Sequence, residues 1–147
     1  MIARTDLREL ASFTATKAPV LSMYLNTDLS QQQKDQVKLV VRDLSERARA
    51  AGAEEEDVQR LARYVDVGYD WRGRGLVVFS CQAEGLWEPF PLPVPVRNSV
   101  FVGDMAYLMP LSNLLDQYAP YAVALVDQER ARLFLVDMGG VVKQEDT

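Results

Sequence analysis

The sequence predicts an α/β fold: a mixed β-sheet packed by a helical hairpin and shorter helices, with a β-hairpin at the C-terminal end. Three observations lead there. Residues 30–52 and 54–68 carry apolar residues at helical spacing and are separated by little more than Gly52. Short apolar runs bounded by glycine or proline, such as "VLSMYLNT" and "GLVVFSCQAEG", have the length and composition of strands. Pro89, Pro91, Pro93 and Pro95 recur at every second position, which only an edge strand or an extended polyproline-like segment tolerates.

The elements follow in order. "TDLRELASF" opens a short helix, with Asp6 and Glu9 at capping-box spacing and Leu7, Leu10 and Ala11 on one face. Pro19 ends that region. Val20 to Thr27 then alternates, placing Leu21, Met23 and Leu25 toward the core and Ser22, Tyr24 and Asn26 away from it. Ser30 and Gln33 again have capping-box spacing, so the long helix is expected from Ser30 to Gly52, with Val37, Val40, Val41, Leu44, Ala48 and Ala51 as its apolar stripe. Glu54 to Asp57 place four acids at the positive end of the next helix, and Gly68 closes it. A buried-type strand from Gly75, the proline segment and a short "NSVFVGD" strand follow. Pro110 sits in the first turn of a further helix carrying Leu111, Leu114, Leu115 and Tyr118, and Pro120 stops it.

Composition narrows the chemistry. At 147 residues the chain has the length of one ordinary domain, able to bury roughly 70% of its unfolded surface. The net charge of -5 supplies no general attraction for nucleic acid, so any such contact must be local. With no histidine, Ser/His/Asp and Cys/His nucleophiles and histidine-ligated zinc are excluded. There is no glycine-rich phosphate loop and no paired acid and base in a recognisable arrangement, so no catalytic residue, metal site or cofactor is expected. A single cysteine, no secretory leader and no bilayer-length apolar run point to the cytoplasm and away from membranes. Cys81, flanked by apolar residues, reads as a buried small side chain.

Three clusters merit attention as binding surfaces. Lys34, Lys38 and Arg42 fall at i, i+4 and i+8 on the long helix, with Arg49 beyond them, and form a basic ridge fit for RNA phosphates. The competing reading is a solvated face balanced by Asp35 and Glu46. In "YDWRGRG", Trp71 lies among Arg72, Arg74 and glycines, a combination suited to base stacking and backbone contact on single-stranded RNA. The competing reading is a helix-to-strand connection whose tryptophan packs inward and whose arginines are solvated. Trp87 and Phe90 beside the proline segment are candidates for protein contact, or cover the sheet.

The C-terminal stretch "YAVALVDQERARLFLVDMGG" contains a strand over Tyr121–Val126, the turn "DQER", a return strand over Ala131–Val136 and a glycine turn. Following "MPLSNLLDQYAP", it resembles the entry into the central domain of the archaeal and eukaryotic-type class-one peptide chain release factor superfamily, and more specifically its bacterial members. "LSMYLNTD", "GLVVFS…EGLWEPFPLPVPV" and "VGDMAYLMPL" are similar to the N-terminal domain of that superfamily. The resemblance implies an N-terminal α/β domain over residues 1–119 and the first hairpin of a truncated central domain over 120–147. It implies contact with the ribosome, ribosomal RNA or tRNA. The superfamily's catalytic Gly-Gly-Gln loop is missing, since Gly139-Gly140 is followed by Val141, and the Asn-Ile-Lys-Ser and Tyr-x-Cys-x-x-x-Phe decoding motifs do not occur. The expected role is that of a non-catalytic N-terminal module of a translation-associated protein. The alternative is a stand-alone protein-interaction domain using the Pro/Trp edge. The return strand is also expected to leave an exposed sheet edge through which two copies can pair.

Overall fold

The computed structural model of the chain describes residues 4–114, 132–137 and 140–146. Helix α1 (Arg4–Ser12) precedes strand β1 (Val20–Asn26), helices α2 (Lys34–Ala50) and α3 (Glu55–Arg63), and strands β2 (Gly75–Cys81), β3 (Leu86–Leu92) and β4 (Ser99–Gly103). A helix α4 is described over residues 109–114, and strands β5 (Arg132–Asp137) and β6 (Gly140–Asp146) pair as a hairpin.

The main sheet has the order β3-β2-β1-β4, and its pairings are antiparallel throughout. The expected mixture of strand directions is thereby narrowed, and the connection explains why. Two helical passes lie between β1 and β2, so the chain re-enters the sheet running opposite to the way it left; a single crossover helix would have returned it parallel. Between α3 and β2 the chain makes one π-turn (Tyr64–Gly68), closed by the Tyr69 N–H on the Tyr64 carbonyl at 2.7 Å.

Both faces of the sheet are covered. Leu21, Met23 and Leu25 of β1 meet Val41, Leu44 and Ala48 of α2 and Val58 and Leu61 of α3, as the alternation in the sequence implied. The opposite face, expected to point away from the core, is buried too. Tyr24 packs edge-on against Phe79 and Phe101, and Leu10, Ala106 and Leu111 close over it. Tyr24 also donates to the Tyr107 carbonyl, while Ser22 Oγ accepts from the Tyr107 N–H at 3.0 Å. The polar residues of β1 therefore anchor the segment following β4 rather than face water.

Two helix starts differ from expectation. Ser30 does not cap α2; its N–H and hydroxyl donate to Asp28 Oδ1 at 3.0 and 2.7 Å, and the helix begins only at Lys34, where the Gln33 N–H donates to Gln36 Oε1. Asp6 lies inside α1 instead of before it, because the helix begins at Arg4. Gly52 ends the α2 region at φ +100, a conformation that favours glycine.

Pro89 and Pro91 lie in the outer strand β3, while Pro93 and Pro95 fall in the connection beyond it. The Arg74 N–H donates to the Leu92 carbonyl, so even-numbered residues of β3 bond inward and Pro89 and Pro91 place their donor-less nitrogens on the open edge. The C-terminal hairpin is present, but its pairing is β5 with β6, and the strand after the glycine turn was not anticipated. Tyr121–Val126, the "DQER" turn and the 119/120 domain boundary lie outside the described residues. No helix among the described residues is long and apolar enough to cross a membrane.

Candidate nucleic-acid interface

Helix α2 carries the candidate surface because its sequence separates two faces. Val37, Val41, Leu44 and Ala48 are buried, the last three against the sheet and α3. Lys34, Lys38 and Arg42 follow on the flank beside the start and the end of the helical hairpin. Lys38 Nζ lies 3.0 Å from Asp66 Oδ1 in the π-turn, with both groups well exposed. Arg42 and Arg63 have no carboxylate within ion-pair distance among the described residues. Together with Lys38 and Arg49 they line a groove of about 480 Å³ between α2 and α3.

The ridge and the "YDWRGRG" turn, read separately in the sequence, are neighbours in space. Lys34 Nζ stands 5.6 Å from the centroid of the Trp71 ring, and the Tyr69 ring centroid lies 5.2 Å from it. Trp71 is held in the left-handed region at φ 62, where a bulky residue is uncommon. It is half-buried, so both sequence readings hold in part: it packs inward on the helical-hairpin core and still presents ring surface beside a cation.

The two arginines of that turn differ. Arg72 is largely exposed, with only Asp70 Oδ2 at 3.7 Å. Arg74 is committed elsewhere, since its Nε and Nη2 donate to the buried Asp28 Oδ2 at 3.2 and 3.1 Å. The Ser30 hydroxyl and N–H, with Arg74, hold the Asp28 carboxyl below the usual carboxylate range. Arg74 is thus a structural tie between β2 and the loop before α2, and drops out of the candidate surface. Arg49 is similarly engaged. It donates to Glu55 Oε2 and Oε1 at 2.7 and 2.8 Å, bonds that hold the Glu55 carboxyl low, and to Glu46 at 2.7 Å.

The expected protein-contact pair is not brought together. Phe90 is buried on the tyrosine side of the sheet, edge-on to Phe79. Trp87 lies on the opposite face under α3, with the Arg60 guanidinium 4.3 Å from its ring centroid and Tyr64 edge-on at 5.5 Å. Strand alternation at odd and even positions separates them. The acids Glu54 to Asp57 also diverge: Glu55 turns to Arg49, while the buried Asp57 accepts from Ser80 Oγ at 2.6 Å and the Gln82 N–H at 2.8 Å. Cys81 is buried, and burial pushes its thiol up, away from nucleophilic reactivity.

Three polar residues of the groove escaped the sequence reading: Asp66 of the π-turn, Arg63 and Ser45. Arg63 comes from the last turn of α3, opposite the ridge. Ser45 is buried at 4% exposure, and its Oγ has no hydrogen-bond partner among the described residues. Its signal was available: at i+4 from Val41 and i−3 from Ala48, it is a polar residue inside the apolar sector of α2.

Comparison with known proteins supports the resemblance carried by the C-terminal motifs. Residues 107–147 match the family described as bacterial archaeo-eukaryotic release factor family 10. The chain is also 29% identical, across 83% of its length, to an uncharacterized protein of Bacillus subtilis (strain 168), YocB. The chain spans about half (51%) of that relative's length. The resemblance to bacterial release-factor-like proteins therefore stands, anchored in the segment that runs from Tyr107 through the hairpin.

Proposed function

We propose that residues 4–114 form a non-catalytic, RNA-contacting module of a release-factor-like, translation-associated protein. The observation that carries this reading is Trp71 standing beside Lys34 at one end of the basic ridge that continues along α2 through Lys38 and Arg42, in a chain whose C-terminal segment matches a release-factor family. Cations along a helix neutralise backbone phosphates, and an aromatic ring at one end adds a surface on which an unpaired base can stack. The module contributes position rather than bond-breaking. Residues able to promote peptidyl-tRNA hydrolysis would have to come from elsewhere in a longer parent, as Gly139-Gly140 is followed by Val141 here.

The test is co-sedimentation with ribosomes at moderate salt, using the whole chain and a Lys34→Glu/Lys38→Glu/Arg42→Glu variant. The wild type should pellet with ribosomes, and the variant should lose at least tenfold in affinity. With about three phosphates neutralised, affinity should weaken roughly twenty-fold over a fourfold rise in salt. No binding to ribosomes or RNA, or undiminished binding by the variant, refutes the proposal.

A further inference from the structure

The groove between α2 and α3 holds an unused donor. Serine in mid-helix usually turns its hydroxyl back to a carbonyl of the preceding turn, but Ser45 Oγ makes no such bond, although the residue is almost wholly buried. Around it the charges do not balance. Lys38 is matched by Asp66, and Arg49 by Glu46 and Glu55, whereas Arg42 and Arg63 face the groove with no carboxylate partner among the described residues. Asp66 is the single carboxylate lining the groove among the described residues, and Lys38 already holds it. An uncommitted hydroxyl beneath two uncommitted guanidiniums is a donor set for a tetrahedral oxyanion.

We infer that this groove is a phosphate site. Ser45 Oγ donates to one oxygen from below, while Arg42 from α2 and Arg63 from α3 supply charge-assisted bonds from the two walls. Both arginines are exposed, so rotation of their side chains gives a ligand access to the hydroxyl. The site deepens the RNA-contacting reading, on which it rests only for the source of the phosphate. An RNA backbone phosphate and a small phosphorylated molecule offer the same chemistry.

The test uses the whole chain, ¹⁵N-labelled, titrated with inorganic phosphate at low ionic strength and then with single-stranded oligouridylate. Phosphate should shift the amides of residues 41–49 and 62–66 saturably. Ser45→Ala should weaken that binding about threefold to tenfold, Arg63→Gln at least tenfold, and Ser45→Thr, which keeps the hydroxyl, much less than Ser45→Ala. Absence of a saturable shift, or an unchanged phosphate affinity in a folded Ser45→Ala variant, overturns the inference. If phosphate gives no saturable shift and oligouridylate binds equally well with Ser45→Ala, the phosphate site fails while the RNA-contacting reading stands. If phosphate binds in the groove and neither oligouridylate nor ribosomes bind, the site stands with a small phosphorylated ligand, and the RNA-contacting reading fails.

Discussion

Two buried serines, Ser45 and Ser80, should respond to the same substitution with opposite sign. In Ser45→Ala the change removes a hydroxyl that is shut off from water and has no partner. Leaving such a group unmatched costs about 1–3 kcal/mol, which the variant recovers. Alanine is also the better helix former by a few tenths of a kcal/mol, and the oxygen-sized void gives back a similar amount through lost dispersion contacts. The expected net gain is about 1–2 kcal/mol, or roughly 4 °C in Tm per kcal/mol for a domain of this size. Ser80→Ala deletes the donor to Asp57 Oδ1, leaving that buried carboxylate with the Gln82 N–H as its remaining bond. A bond to a charged acceptor is worth about 1.5–3 kcal/mol, so this variant should lose that much. Urea unfolding followed by far-UV circular dichroism measures both. A Ser45→Ala midpoint at or below wild type, with unchanged m-value, refutes the account of the orphaned hydroxyl; a Ser80→Ala midpoint at or above wild type refutes that of the buried pair.

Leu61 is fully buried where α3 meets the sheet, so Leu61→Ala should destabilise by about 3–5 kcal/mol, with a midpoint loss far larger than for an exposed leucine such as Leu39→Ala. Asp28 has its pKa lowered by Ser30 and Arg74; because the folded value lies below the unfolded one, its contribution is present above the ordinary carboxylate range and is lost as pH falls through the folded value. Unfolding midpoints taken from neutral to acid pH should therefore drop below about pH 4, and Asp28→Asn should be less stable at neutral pH with a shallower acid decline; a variant that declines as steeply as wild type contradicts this. Since Trp71 and Trp87 are the two tryptophans, RNA binding should quench the fluorescence of a Trp87→Phe variant and leave a Trp71→Phe variant nearly unchanged; the reverse result moves the contact to the far side of α3.

The architecture was readable wherever one local cue sufficed. The helical hairpin showed in the i, i+3, i+4 spacing of Val58, Leu61 and Ala62, its turn in Gly52, and the sheet edge in the alternate prolines. Burial on the second face of β1 was not readable, since Ser22 and Tyr24 look solvent-facing until Tyr107, 83 residues after Tyr24, supplies their partner groups. The same limit applied to the surface. The ridge on α2 was visible because all its members share one helix, whereas Arg63 and Asp66 meet it only through tertiary packing. Arg74 looked available in sequence and is tied to Asp28 in the fold. Ser30 has a cap's spacing but is captured first by Asp28, two residues away, a local competition that spacing rules do not weigh.

The prolines of β3 give the sheet a preferred direction of growth. A strand approaching that edge meets carbonyls at Pro89 and Pro91 without the alternating N–H groups it needs, so it can form at best half a ladder. At the other end of the described sheet, β4 offers an uninterrupted backbone from Ser99 to Gly103. Any strand that extends the sheet, from this chain or another, is steered to the β4 side. At Tyr107 the chain leaving β4 has turned over the face of the sheet, where it bonds to Ser22 and Tyr24 of the inner strand β1, so this anchoring and growth at the β4 edge use different surfaces.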